Sequence, residues 1–338
     1  MTERILVAGG AGFIGTNLTA ALLDQGYDVV VLDNLRTGRT VNLDALTTSG
    51  RLVFRHGDIN DPPGDLGSFN KIYNLACAAS PVHYQSDPVD TLPTCVNGTH
   101  NLLALAEACG ARFLMASTSE VYGDPLTHPQ PEGYFGNVNP NGPRACYDEG
   151  KRAAETLCCD YRQRGVDVRI ARIFNTYGPF MSPDDGRVVT NAVCQALAGH
   201  DITVYGDGTQ TRSFCYIDDL VAGLMALMEC GTPIDRPINL GNPDEVSIND
   251  MVAEVLRAVP GRSRIVHRPL PTDDPRRRCP DISRARELLG WEPKIAFPDG
   301  LGRTVQWLAG QTQPTIATSV VQPTPVSKSQ ARAGMAAE

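Results

Sequence analysis

Arg4-Ile5-Leu6-Val7-Ala8-Gly9-Gly10-Ala11-Gly12-Phe13-Ile14-Gly15 is the stretch from which the fold can be read. Ile5 to Ala8 is a short apolar run of the kind buried strands have, and glycines at 9, 12 and 15 follow it at once. Phe13, Ile14, Leu18, Leu22 and Leu23 then repeat at helical spacing until Gly26, a helix-terminating glycine. A second buried strand, Val29 to Leu32, ends at Asp33. Strand, glycine turn and helix form a site for a pyrophosphate, which the helix N-terminal N–H groups and dipole can hold once the glycines let the backbone approach. Asp33 lies about 20 residues beyond the turn, where a carboxylate binds the adenosine ribose hydroxyls and repels a 2′-phosphate. The dinucleotide predicted is therefore NAD, with Arg36 the one neighbour that argues for NADP.

Working outward, the alternation continues through Leu52–Phe54, Ile72–Ala76, a helix over Asn97–Cys109 closed by Gly110, a strand over Phe113–Ser117, a helix over Tyr147–Arg164 and a strand over Arg169–Phe174. This pattern predicts an α/β fold, a Rossmann-type doubly wound parallel sheet, with ligands outside the C-terminal ends of the strands. Asp58 and Ile59 are placed beside the adenine, and Leu75 and Ala76 farther along the cofactor. Beyond Thr176 proline and glycine become frequent and the helices shorten. The expected organisation is an NAD-binding domain over 1–175, a smaller C-terminal α/β substrate lobe over 176–310 with some segments returning to the first sheet, and a disordered tail over 311–338.

Composition narrows the function. The 338 residues are 42% hydrophobic and 20% charged, as in soluble globular proteins. A formal charge of -8 and a pI near 5.3 make nucleic acid an unexpected partner. The ten cysteines contain no Cys-x-x-Cys pair, so no metal site is predicted. A strand beginning at Ile5 leaves no room for a signal peptide, and no apolar run reaches the ~18 residues of a membrane span. The compartment expected is a reducing, cytoplasmic one, with no membrane attachment.

Chemistry concentrates at Tyr147-Asp148-Glu149-Gly150-Lys151, where a phenol and an ammonium share one helical face. A lysine close to the phenol favours phenolate, a base for a sugar or alcohol hydroxyl. Ser117-Thr118-Ser119-Glu120 ends a strand at the same sheet edge, with Thr118 placed to hydrogen-bond that hydroxyl.

With these motifs in place, the chain resembles the extended short-chain dehydrogenase/reductases, the nucleotide-sugar epimerase and dehydratase superfamily, over about residues 4 to 310. Ala79–Gln85, Ser117–Gly123, Gly142–Arg152, Ala171–Pro179, Asp185–Val189 and Val204–Phe214 are most similar to the UDP-glucuronate decarboxylase family. The resemblance implies conversion of UDP-glucuronate to UDP-xylose and CO₂ through a 4-keto sugar, with NAD reduced and then restored. It implies Thr118, Ser119, Glu120, Tyr147 and Lys151 as catalytic residues, and adds Asn34 and Gly38 to the cofactor contacts. For substrate it implies Pro81, Tyr84, Asn175, Arg187, Tyr205, Arg212 and Arg278, with arginines holding the anionic groups. His83 is a filler of the same pocket. Ser119 stands where 4,6-dehydratases have an acid, which suits loss of CO₂ rather than water. Phe180, Ser182, Pro93 and Cys77 depart from the family pattern, two of them removing cations.

Readings that remain open are a 4-epimerase or 4,6-dehydratase of the same superfamily and a non-catalytic NAD-binding scaffold. By the same resemblance the helices over Asn97–Cys109 and Tyr147–Arg164 are expected to pair across a two-fold axis in a homodimer.

Overall fold

The computed structural model describes residues 2–62, 64, 66–271 and 277–312. The expected tail beyond 312 and the start of the acidic-basic run at 273–276 lie outside these residues. In chain order the first half comprises β1 (Arg4–Ala8), α1 (Phe13–Asp24), β2 (Asp28–Asp33), β3 (Leu52–His56), β4 (Lys71–Asn74), α2 (Pro81–Tyr84), α3 (Pro88–Pro93), α4 (Thr99–Cys109), β5 (Arg112–Thr118), α5 (Ala145–Gln163) and β6 (Val168–Ile173). The second half comprises β7 (Thr176–Tyr177), α6 (Val188–Leu197), β8 (Ile202–Tyr205), β9 (Thr211–Ser213), β10 (Cys215–Tyr216), α7 (Ile217–Glu229), β11 (Ile238–Leu240), β12 (Glu245–Ser247), α8 (Ile248–Ala258), β13 (Ile265–Arg268), α9 (Ser283–Leu289) and α10 (Phe297–Thr312).

Seven strands form one parallel sheet in the order β11-β6-β5-β4-β1-β2-β3. Strand β1, inside the sheet between β4 and β2, shows why the segment reads as continuously apolar. Ile5 and Val7 face one way, into a core with Leu18 and Leu22 of α1 and Leu220 and Leu224 of α7. Leu6 and Ala8 face the other way, against Leu102 and Ala106 of α4 and Ala154 and Cys158 of α5. Alternate side chains are thus buried on both faces, the condition for a parallel sheet covered by helices. Each fully buried Leu or Ile contributes about 1.5–3 kcal/mol.

Two glycines make the first turn possible. Gly9 has φ 79°, and a Cβ there would lie 2.8 Å from the backbone of Leu75. At Gly15 a Cβ would meet the Gly9 carbonyl oxygen at 2.1 Å, so only glycine lets α1 close onto β1. The helix expected over Asn97–Cys109 begins instead as a π-helical turn, Thr94–Gly98, that continues α3 and leads into α4. Gly98 lies so close to Ile59 that any side chain would collide with it. The chain after β6 returns to the sheet: β11 pairs with β6, and α7 packs beside α1. The remaining segments set α6, α8 and α10 against one another beside three two-stranded sheets, β7/β10, β8/β13 and β9/β12. Helix α10 continues through Gln311 and Thr312, where the tail was expected to start.

Candidate active site

The C-terminal ends of β1, β2, β4, β5 and β6 open onto one elongated cavity. At one end lie Gly9, Gly12, Phe13, Ile14, Gly15, Asp33, Asn34, Asp58, Ile59, Leu75 and Ala76, the positions expected to meet a dinucleotide. Asp33 is buried, with one carboxylate oxygen accepting from the Ala11 N–H (2.9 Å) and the other from the Leu35 N–H (2.8 Å). Burial nevertheless raises its carboxyl above the usual range. Gly38 does not line the cavity; it backs Asp33, whose oxygens a Cβ would meet at 2.8 and 2.9 Å. The Asn34 amide donates to Asp58 (2.7 Å), tying the second strand end to the third.

Arg36 lines the cavity with its charge already paired. Its guanidinium pairs with Asp87 (2.9 Å) and Asp90 at the start of α3. A 2′-phosphate would have to displace two carboxylates to reach it.

The other end of the cavity carries Ser117, Thr118, Ser119, Glu120, Tyr147, Lys151, Asn175 and Arg187. Helix α5 presents Tyr147, Lys151, Ala154, Cys158 and Tyr161 inward, a 4-3-4-3 spacing that keeps one stripe against the sheet. The Tyr147 phenol is buried and its ring lies parallel to Tyr84, centroids 4.9 Å apart. Burial pushes the phenol well above its ordinary value, with Cys77 and Cys95 adding to the rise and a hydrogen bond with Thr118 opposing it. Lys151 does not reach the hydroxyl: its ammonium donates to the Ala116 carbonyl (2.8 Å) and lies 5.8 Å from the Tyr147 ring centroid. Spacing correctly put the two residues on one face, but the strand carbonyl takes the ammonium. Ser117 donates to Glu155 (2.5 Å), which itself pairs with Arg172 (2.7 Å), so this serine braces β5 against α5 and β6.

Glu120 sits between two guanidinium groups. Arg144 donates to one oxygen at 2.7 Å and Arg278 to the other, and all three residues are largely buried. Burial raises the Glu120 carboxyl, but Arg278 and Arg144 outweigh it and hold the group at about 2. Glu120 is therefore an anion across the working pH range and cannot donate a proton. Arg278, read from the sequence as a ligand for the anionic substrate, is 3% exposed and is occupied by Glu120 and by the Gly123 carbonyl (3.1 Å). Arg144, assigned no role from the sequence, completes the cluster; its position three residues before Tyr147 was the available signal. Asp148 is buried beside the cluster and is pushed up to about 7 by burial and by Glu120.

Other expected substrate residues are distributed differently. Tyr84 and Pro81 lie behind the wall of the cavity, whereas His83 lines it. Arg187 lines the cavity and pairs with Asp185 (2.7 Å). Tyr205, 44% exposed at the end of β8, and Arg212, buried in β9, lie outside it. Phe180 and Trp307 pack together at 5.5 Å and line the mouth, so the first departure from the family pattern leaves an aromatic wall there. Cys77 also lines the cavity, its sulfur 3.4 Å from that of Cys95.

Three comparisons bear on this geometry. The family described as GDP-mannose 4,6 dehydratase matches residues 6–304. UDP-glucuronic acid decarboxylase 1 of Arabidopsis thaliana is 54% identical over 303 residues, 89% of this chain and 69% of that protein. UDP-glucuronic acid decarboxylase 1 of Danio rerio is 49% identical over 312 residues, 92% of this chain and 74% of that protein. Among solved structures, UDP-glucuronic acid 4-epimerase from Bacillus cereus in complex with UDP-glucuronic acid and NAD is similar with a TM-score of 0.83 and 28% identity, covering 91% of this chain and 99% of that one.

Proposed function

The chain belongs to the UDP-glucuronic acid decarboxylase family, within the nucleotide-sugar epimerase and dehydratase superfamily, and from that premise we propose how its residues turn UDP-glucuronate into UDP-xylose and CO₂. The cavity fits NAD: Gly9 and Gly15 admit no Cβ, Asp33 offers a buried carboxylate to the ribose, and Asp87 and Asp90 withhold Arg36 from a 2′-phosphate. Bound there, NAD⁺ would supply the hydride acceptor for sugar C4 and the hydride later returned to it.

Tyr147 takes the proton from the C4 hydroxyl. Thr118, hydrogen-bonded to that phenol, holds the same hydroxyl in line. Lys151, fixed on Ala116, places a fixed positive charge under the ring. Once C4 is a ketone, the carboxylate on C5 is β to a carbonyl, so its electron pair moves into an enolate as CO₂ leaves. Protonation at C5 restores the ketone, and Tyr147 returns its proton to the C4 oxygen as the alcohol is re-formed.

Glu120 serves this chemistry as an anion. It holds Arg144 and Arg278 together behind the cavity lining, and two guanidiniums against one carboxylate leave a net positive cluster whose field favours the sugar carboxylate. Ser119, buried next to it, contacts that carboxylate. With serine at 119 and an ionised Glu120, neither of these two lining positions offers an acid to expel a C6 hydroxyl as water, and Asp148, raised to about 7, does not line the cavity. That absence beside the Tyr147–Thr118 pair carries the choice of decarboxylation over dehydration. Asn175 and Arg187 take the diphosphate, while Tyr205 and Arg212 take the nucleoside end farther out.

We further propose a cytoplasmic homodimer, with residues 1–175 and the returning segments as the NAD-binding unit and the remainder as the nucleotide-sugar lobe. Among the described residues no helix is long and apolar enough to cross a membrane. Half-buried Leu105 of α4 and Leu157 of α5 supply apolar surface for a two-fold contact. Sedimentation giving a monomer at micromolar concentration would exclude it. For the reaction, purified protein is incubated with UDP-glucuronate with and without added NAD⁺, and the products are read by mass and NMR. Loss of CO₂ supports the assignment; loss of water, or an epimer of unchanged mass, overturns it.

A further inference from the structure

On the far side of the Glu120–Arg278 wall, three side chains from separate segments converge: His128, Glu245 and Cys279, whose ligand atoms all lie within 4.8 Å of one another. His128 Nε2 is already 3.0 Å from a Glu245 oxygen. We propose that these three residues form a binding site for one zinc-class divalent cation, with the fourth position open to water. The inference stands apart from the catalytic reading.

The donor set selects the ion. A thiolate, an imidazole and a carboxylate together suit a borderline-soft, tetrahedral cation and not magnesium or calcium, which take oxygen ligands. Coordination replaces the thiol proton of Cys279, which passes to solvent, so one proton leaves for each ion bound.

The frame holds the ligands independently of one another. Gln130, fully buried, donates its backbone N–H to the Cys279 carbonyl (2.9 Å) and accepts the Cys279 N–H on its side chain (2.9 Å), fixing the His128 loop against the Cys279 segment. Glu245 is set by the β12/β9 pairing, and Thr211 donates to its other carboxylate oxygen. That hydroxyl is the kind of outer partner that orients a metal-binding carboxylate. With the three ligand atoms already near each other, a tetrahedral site at 2.0–2.3 Å needs shifts of only about 1 Å. The cysteine pattern hid the site because the ligands come from three distant parts of the chain and none belongs to a Cys-x-x-Cys pair.

The location gives the ion a role. Cys279 follows Arg278, and β12 pairs with the strand carrying Arg212. A bound cation clips the loop of Arg278 to the strand pair of Arg212, stiffening the substrate side of the fold.

Full-length protein is stripped with a chelator and titrated with Co²⁺, whose thiolate charge-transfer absorption reports a cysteine ligand, and Zn²⁺ is then added in competition. The expected result is one equivalent of saturable Co²⁺ binding with thiolate absorption, displaced by Zn²⁺ and unaffected by Mg²⁺. Cys279→Ser should lose the thiolate absorption. His128→Ala, a substitution at a partly exposed position that leaves the fold intact, should weaken binding at least tenfold. No stoichiometric thiolate absorption in the unmodified protein, or less than a tenfold change in His128→Ala with an unchanged melting temperature, overturns the proposal.

Discussion

The ring of Tyr84 lies against that of Tyr147, planes within 3° and centroids 4.9 Å apart, so the reacting phenol is held by a second aromatic from the α2 segment. Tyr147→Phe keeps this stack and removes only the hydroxyl. Turnover of UDP-glucuronate should fall by about 10²–10⁴-fold, the worth of a positioned acid-base group, while unfolding by urea changes little. Tyr84→Ala acts the other way, costing about 3–5 kcal/mol of stability through the cavity it leaves. Full turnover in Tyr147→Phe is the outcome that removes the phenol from the mechanism.

Glu120 and Asp148 couple stability to pH in opposite directions. The folded Glu120 carboxyl at about 2, against 4.5 ordinarily, contributes stability that is present above 4.5 and lost as pH falls toward 2. Asp148, raised to about 7 from 3.8, binds its proton more tightly in the folded chain. Stability therefore falls as pH rises from about 4 to about 7 and levels off above. Asp148→Asn should resist urea better than the parent at pH 8, by on the order of 2–4 kcal/mol, and match it near pH 4. An Asp148→Asn protein weaker than the parent at pH 8 contradicts this reading.

Cofactor choice should depend on the carboxylates that hold Arg36 as well as on Asp33. Asp87→Asn combined with Asp90→Asn frees Arg36, and the ratio of turnover supported by NADP⁺ to that supported by NAD⁺ should rise about tenfold, ~1.4 kcal/mol. Adding Arg36→Ala to that double variant should abolish the gain. An unchanged ratio in the double variant shows that Asp33 alone sets the preference.

Much of the fold was legible in the chain because its signals are local. Gly9, Gly12 and Gly15 after an apolar run fix a strand, turn and helix by sterics alone, and Asp33 follows at the end of the next strand. The spacing of Tyr147 and Lys151 placed both on the buried stripe of α5. What the chain concealed depends on contacts between distant segments. Arg278 reads as an arginine for the anionic substrate, yet the fold buries it against Glu120, and Arg144 joins from a third segment. Tyr84 reads as a pocket residue but does not line the cavity, and its ring lies flat against that of Tyr147. Arg36 reads as an NADP determinant until the start of α3 supplies its two carboxylates.

If C4 is oxidised before the C5–carboxyl bond breaks, a deuterium at C4 of UDP-glucuronate must travel with the hydride, and a single turnover of labelled substrate reads its path. The label should slow the appearance of CO₂, pass through the reduced cofactor and be recovered at C4 of UDP-xylose. CO₂ released at an unchanged rate, with the deuterium never leaving C4, would contradict the account.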